Sequence, residues 1–596
     1  MFFTKYFYKI CSLAVLLYVC FCGGVSLLSA PKSYALTLPG GMPPKYTADF
    51  SHVKYANPHA PQGGTIKLKT HQRAETLNPF KGVLAPAPEL EITFATLLAS
   101  PIDDWQNLYG YVAESMDLQN THVTFHLRKD AIFEDDSPIL PEDILFSFEF
   151  FSKHAAPSYQ TLYQNISHGE KMGPFKVRFY FKKEGHPSLN AANLGKMPIL
   201  SHKDRDLCQQ ERLTIPLLSS GPYHLKSFEP GNMIQYHQIK NWWGKNLPLY
   251  KGHYNFERIE YHYFSHPIVA LEAFKKGEYD LRLETRASFW KKNYDFEAAT
   301  SGHVLKKTFK KAELHGFNAI FINTRRPYLQ DLKVRLALNI LLDFEMLNKL
   351  LFYGTYKRNT SVFMNTGFGG DHPLTEDEKK LAHKLDIPEF ILINSSLSSN
   401  TSARSRKQQA LNLLNQAGWQ IVQGELLHVH TRKPFKLEII TPYPGQARLL
   451  EQYVKTLRDV GIDAYIRLLS MPVYLKRLRH FGYDLTLESL PPMITPGYEL
   501  KNFWGSSSAE VLGNYNFSGI QDPKVDLLID KILKEKNPKT LRALTSLLDR
   551  ALFAGMYFIP LWHPDHLFVA FWNKFSYPHL APKVGFTYHT WWAKEK

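Results

Sequence analysis

Side chains able to coordinate, attack or transfer a proton are scattered through this sequence rather than grouped. His428-Val429-His430 and the pair His563 and His566 come nearest to a metal-ligand spacing, but a chain with 25 histidines produces such pairs by chance. Cys208 is the only cysteine after position 22, and its polar flanks, KDRDLCQQE, read as an incidental surface thiol rather than a nucleophile. No GxxxxGK[ST], GxSxG, HExxH or paired CxxC occurs, so a phosphate cradle, a hydrolase elbow and a zinc site all lack a signature. The sequence therefore offers no catalytic residue, no metal site and no cofactor motif. What it does concentrate near strand ends is chemistry for holding. The turn Leu77-Asn78-Pro79-Phe80 closes a strand, and the stretch 491–528 is rich in Gly, Ser, Asn and aromatics, as ligand-facing loops beyond strand ends are.

The elements that must position these residues follow from periodicity. Thr65 to Thr70 alternates Ile66 and Leu68 with Lys67 and Lys69, which predicts a half-buried strand. From about 86 to 218 short strands alternate with loops, and Pro141-Glu142-Asp143 opens a helix whose Ile144, Phe148 and Phe151 form a core stripe. This segment reads as a subdomain inserted into a first lobe, to which Ser219-Ser220-Gly221-Pro222-Tyr223 returns the chain. A strand at 259–264, a helix at 267–276 and Gly277 make a βαβ-like unit. His315 to Pro327, HGFNAIFINTRRP, is a mostly buried strand ending in a basic turn, and it reads as a crossing into a second lobe. There Asp331 and Asp343 cap helices, and strands at 435–441, 463–468 and 483–488 alternate with helices, the pattern of an α/β sheet. Phe558 to Trp562 is a short apolar strand that reads as the return crossing.

The first residues carry an export signal. Lys5 and Lys9 precede an apolar run from Ile10 to Leu28, and Ser33-Tyr34-Ala35 offers small residues for cleavage after Ala35, with Leu28-Ser29-Ala30 as the alternative and an uncleaved anchor as the rival reading. Removal of Cys11, Cys20 and Cys22 leaves no intramolecular disulfide. The formal charge of +16 becomes +13 once Lys5, Lys9 and Lys32 leave. Lys and Arg are spread from Lys45 to Lys596 without a long basic block, which argues against a nucleic-acid partner and fits an anionic envelope surface, an acidic ligand or plain solubility.

Five ordered words, FEDDSPILPEDILFSF, SSGPY, ALEAFKKGEYDLRLE, FINTRRPYLQDLKVRLALNILLDFEML and NFWGSSSAEVLGNYNFSGIQDPKVDLL, resemble those of the peptide-type solute-binding proteins of ABC importers, extracellular family 5. Within that family the chain is most similar to the YejA-like oligopeptide binders. The resemblance implies an α/β, two-lobed periplasmic-binding-protein fold of type II, in the large peptide-binder class, with an extra subdomain in the first lobe and two hinge crossings. It divides the chain into a signal peptide (1–35), lobe I (36–85, 219–320 and 558–596), an inserted subdomain (86–218) and lobe II (321–557). It implies a monomer that captures a peptide-like ligand between the lobes and delivers it to an inner-membrane ABC permease with its ATPase. The ligand-binding residues expected on this basis are Asn78, Ser220, Gly221, Tyr223, Asn323, Arg325, Trp504, Asn514 and Trp562. Gly221 would otherwise shape a turn, Trp504 and Trp562 would be core, and Arg325 would pair with a structural acid. The family's amine-binding Asp is replaced by Leu490-Pro491-Pro492-Met493, so Glu488 or Glu499 must substitute, or the ligand must be a modified peptide such as a cell-wall fragment or a microcin-like compound.

Overall fold

Strand pairing sorts the chain into two lobes. A computed structural model describes residues 34–594 apart from 184–185, 285–286, 311–315, 389–401, 494, 565 and 580–585. Most of the proposed signal segment, and His315 of the expected crossing, therefore lie outside the described residues.

Lobe I is built on β1 (Thr65–Thr70). Ile66 and Leu68 are buried as the alternation predicts, and the inserted subdomain follows β1 in sequence. That subdomain is a four-stranded antiparallel sheet formed between Ala113 and Phe181. The helix Pro141–Lys153 packs on it, with Asp143 accepting the Leu140 N–H at 2.9 Å and Ile144 and Phe151 in the core. Two further helices, α1 (Pro157–Tyr163) and α2 (Pro187–Gly195), complete it. The chain then forms β2 (Tyr223–Glu229), β3 (Met233–Gln238) and β4 (Arg258–Tyr263), giving the sheet order β1-β4-β3-β2 with β1 and β4 parallel. A smaller sheet holds β5 (Leu281–Glu284) and β6 (Val304–Lys310), with residues His566–Trp572 from the far end of the chain between them. One hydrophobic cluster runs from Ile66 and Leu68 through Phe125, Phe150 and Val177 to Val569 and Phe571, so the inserted subdomain and lobe I share a core.

Lobe II is organised by β7 (Phe317–Ile322), with both faces buried. Phe317, Ala319 and Phe321 enter one cluster, and Ile320 and Ile322 enter another. Such a strand must sit in the middle of a sheet. The sheet also contains β8 (Lys436–Thr441), followed by α3 (Pro444–Arg458), β9 (Asp463–Leu468), followed by α4 (Met471–Arg479), and β10 (Leu485–Leu490). After β10 come α5 (Glu499–Trp504), α6 (Pro523–Lys534) and α7 (Pro538–Ala554), and then β11 (Phe558–Pro560). Its strand order is β9-β8-β10-β7-β11.

Two sequence expectations shift. The strands expected as crossings, β7 and β11, are neighbours within the lobe II sheet. The chain changes lobe just before β7, between 310 and 317, and again between Pro564, which pairs with Tyr356, and His566, the first residue of β12 (His566–Trp572) in lobe I. Both strands are apolar because they fill a sheet, a pattern that a crossing strand would share. Cys208 is buried against the lobe I core, and burial pushes its thiol up to about 12. The short helix that carries it turns the sulfur inward while its polar neighbours face water.

The Phe321 ring lies among Phe517, Trp504 and Phe558, with centroids 5.2, 6.4 and 6.2 Å away. Phe321→Ala is expected to cost about 3–5 kcal/mol in urea denaturation. A cost under ~1 kcal/mol would show that Phe321 does not pack in this aromatic core.

Candidate functional site

The lobe II sheet has one edge that faces lobe I. Strands β8, β9 and β10 run parallel, so their carboxyl ends share one edge. β7 is antiparallel to β10, with Phe317 opposite Leu490, which brings the entry from lobe I to that same edge. β11 is antiparallel to β7, so the chain also leaves from it. Ligands of open α/β sheets bind beyond the carboxyl ends of strands, and here both lobe connections converge on them.

At this edge the side chains are unusually apolar for a surface. Tyr443, after β8, is 52% exposed, and Leu468, at the end of β9, is 51% exposed, with Met471 and Val473 of α4 also open to solvent. Glu488 of β10 lies set back from the edge near Tyr443. Burial holds its carboxyl above the ordinary range, while the Tyr474 hydroxyl, which donates to it, pulls the other way. The floor beside the crossings is polar and ordered. Asn318 donates to the Trp562 carbonyl at 3.0 Å, Asn359 donates to the Asn318 carbonyl at 2.9 Å, and His563 Nδ1 lies 2.8 Å from Asn359 Oδ1. Arg358 is half-buried there, and its guanidinium is lowered to about 10 by desolvation, which Glu345 and Asp343 oppose. On the lobe I side Trp290 stacks on Phe568 at 5.3 Å where β12 begins. Behind that wall Arg282 donates to Tyr294 and Tyr279 hydroxyls at 2.6 and 2.8 Å and pairs with Glu284 at 3.2 Å.

The structure gives most of the residues expected to bind ligand a protein partner instead. Asn78 donates to the Cys208 and Gln210 carbonyls, both at 2.9 Å. Ser220 accepts from Ala95 N–H at 2.9 Å and donates to Ile199 O at 3.2 Å. A Cβ on Gly221 would run into the Ile92 carbonyl, so a close backbone approach explains this glycine. The Tyr223 hydroxyl donates to Phe256 O at 2.7 Å. Asn323 spends both amide hydrogens on Phe481 and Tyr483 carbonyls at 3.1 and 2.8 Å. Arg325 holds the 505–520 loop, donating to Ala509, Asn516 and Phe517 carbonyls while its guanidinium lies 3.6 Å from the centre of the Phe481 ring. Trp504 belongs to one lobe II core and Trp562 to the other. Asn514, beside exposed Tyr515, and Arg325 are the two of the nine that are half-buried rather than buried. Residues that shape turns at strand ends and residues that hold ligands there are the same types, and only contacts separate them. Sequence reasoning passed over Asn318, Asn359 and Tyr474; Asn318 carries a signal, a polar residue inside the apolar strand FNAIFI, and the other two carry none. Among the described residues no group of three or more His, Cys, Asp or Glu is placed to hold a metal ion.

Residues 107–510 match the bacterial extracellular solute-binding proteins, family 5. The chain belongs to that family. It is 31% identical over 571 residues to the probable peptide-binding protein YejA of Agrobacterium fabrum, covering 92% of each chain. It is also 31% identical over 610 residues to the peptidoglycan-binding protein YepA of the same organism, covering 98% of this chain and 99% of that one. Among solved structures, the oligopeptide-binding protein AppA of Bacillus subtilis in complex with a nonapeptide superposes with a TM-score of 0.69 at 16% identity, over 90% of this chain and all of that one. NikA of Brucella suis in complex with Fe(III)-EDTA gives 0.66 at 17% identity, over 89% of this chain and all of that one. The family-5 fold is thereby the two-lobed one that the sequence resemblance implies, and the YejA-like relationship extends along nearly the whole chain.

Because Arg325 makes several hydrogen bonds from a largely buried cation, Arg325→Met should lower stability by about 2–4 kcal/mol in urea denaturation. An unchanged midpoint, combined with weakened ligand binding, would return Arg325 to the ligand site.

Proposed function

We propose that this chain is the periplasmic substrate-binding component of an ABC importer, and that it captures peptides or modified peptides, including murein-peptide or microcin-like compounds, between its lobes. A ligand touching both lobes binds the closed form better than the open one, and that difference shifts the population. The inner-membrane permease with its ATPase then meets the closed shape. The chain acts as a monomer that holds and releases its ligand unchanged.

The observation that carries the reading is Glu488. It is a half-buried carboxylate at the carboxyl edge of the lobe II sheet, with Tyr443 close by and the Tyr474 hydroxyl donating to it, on an edge whose exposed side chains include Leu468 and Met471. A carboxylate in an apolar rim is complementary to an ammonium carried on an apolar body, such as the amino terminus of a peptide or a diamino-acid side chain of a cell-wall peptide. Glu499, the other candidate for the missing Asp, lies on α5 and faces the inserted subdomain. The similarity to YejA and YepA supports peptides and peptidoglycan fragments as the ligand class. Trp290 is the partner proposed to face the ligand from lobe I. Export rests on residues 1–35. Tyr34 and Ala35 take part in the first strand pairing, Ala35 opposite Tyr109, so cleavage after Ala30 leaves the fold intact whereas cleavage after Ala35 removes part of a strand. Among the described residues no helix is long and apolar enough to cross a membrane.

Thermal-shift measurements with di- to decapeptides and muropeptides should show stabilisation that rises with ligand concentration. A shift from a sugar or metal complex with none from any peptide would sink the assignment, and peptide turnover would replace it with an enzyme. For any peptide that binds, Glu488→Gln should weaken the free-amine form about tenfold or more in calorimetry and leave its N-acetyl form unchanged. Amino-terminal sequencing of the exported protein should begin at Pro31.

A further inference from the structure

Lobe I holds a recess that is separate from the cleft between the lobes. Strand β12 enters the lobe beside the hinge at His566 and ends at Trp572, so at the usual rise of a strand its far end lies about 20 Å from the hinge. There Leu305 of β6 stands opposite Phe571, and the chain folds back through the short antiparallel pair β13 (Phe575–Ser576) and β14 (Trp592–Ala593). This pair, residues 54–58 and Leu305 enclose a cavity of about 590 Å³. Sites for small ligands have this size.

The lining combines aromatic walls with an uncompensated positive rim. Phe575, Tyr577 and Trp592 supply the walls, and the last two are half-buried, so part of each ring is open to the cavity. Lys54, His579 and Lys594 are the exposed groups of the rim, and among the described residues no Asp or Glu lines it. The lack of acid extends through the segments that build the recess: residues 50–64, 298–312 and 573–594 contain none, although the chain has 55. Acids from elsewhere pair with two of the lysines in these segments, Lys306 with Asp295 at 2.9 Å and Lys574 with Asp280 at 2.5 Å. Lys54 has no carboxylate partner among the described residues, and the Lys594 ammonium donates to the Asn573 side-chain oxygen at 2.6 Å and to its carbonyl at 3.4 Å.

Unpaired ammonium groups beside aromatic walls are complementary to an anion carried on a ring. The face of an aromatic ring is weakly negative and attracts the weakly positive C–H groups of a sugar, so a sugar ring can lie on Tyr577 or Trp592. Asn57 and Ser576 add hydrogen-bonding groups to the lining for its hydroxyls, and the two ammonium groups suit a carboxylate or a phosphate. A membrane surface would instead be met by apolar side chains that stand out from the protein, whereas these are recessed. We propose that the recess is a second ligand site, taking a sugar that bears a carboxylate or a phosphate, with Lys54 and Lys594 on the anion and Trp592 against the ring. The site lies within one lobe, so its occupancy requires no closure and is independent of what the cleft holds.

Fluorine NMR of the mature protein labelled with 5-fluorotryptophan tests this site directly. The Trp592 resonance, assigned by its loss in Trp592→Phe, should shift saturably with glucuronate and with glucose 6-phosphate. Glucose, which has the ring without the anion, and inorganic phosphate, which has the anion without the ring, should each bind about tenfold more weakly or worse. The double variant Lys54→Gln/Lys594→Gln, changed at two exposed positions, should weaken both anionic sugars about tenfold and leave the glucose response unchanged. If Trp592→Phe does not fold, calorimetry of the wild type and the lysine variant with the same four compounds makes the same comparison. Absence of binding by both anionic sugars, equal binding of glucose, equal binding of phosphate alone, or equal affinity in the lysine variant would each overturn the proposal. So would binding to phosphatidylglycerol vesicles that depends on the two lysines and that neither sugar displaces.

Discussion

The antiparallel pairing of β7 with β10 is the constraint on which the rest of the architecture depends. Three parallel strands alone would leave their carboxyl ends on one side and would not say where lobe I attaches. By running against β10, β7 puts its amino end beside Leu490, and β11 by running against β7 puts the return at the same place. The hinge and the strand-end cleft therefore coincide. Because β7 is buried on both faces between two cores, its register cannot slip without exposing one of them, so the position of the hinge is fixed by packing in lobe II.

The same burial explains which parts of the molecule were legible in the sequence. Alternation in Thr65–Thr70, the Pro141-Glu142-Asp143 helix start and the Asp331 and Asp343 caps depend on local chemistry, and each is present, with Asp331 accepting Lys333 N–H at 2.7 Å and Asp343 accepting Met346 N–H at 3.1 Å. The place where the chain changes lobe depends on pairing between residues more than 160 positions apart, such as Phe317 with Leu490, and no local pattern encodes it. The candidate site was the least legible part. Asn323 and Arg325 were drawn into the ligand set because a polar pair ends an apolar strand, but their hydrogen bonds close the turn onto 481–483 and 505–520. Cys208 shows the converse case, a buried side chain whose neighbours in sequence are polar.

Several buried or half-buried polar groups are part of the scaffold. Arg282, Asn323 and Arg325 are saturated by tyrosine hydroxyls or backbone carbonyls within one lobe, which makes them rigid parts of it.

Glu488 is placed differently, and its setting bears on the proposed ligand. It has one side-chain donor, Tyr474, and burial already disfavours its charge. A carboxylate in this state gains more from a cation than one in open water does: at an effective dielectric near 20, an ammonium 4 Å away is worth about 4 kcal/mol, against about 1 kcal/mol in bulk solvent. The Tyr443 ring nearby would add to this difference by excluding water once a ligand covers it. A neutral sugar would cover the ring without meeting the charge, and an anion would be repelled by it. On the proposed reading, Glu488 would favour a ligand that joins a cationic head to an apolar body, a combination that peptides with a free amine provide.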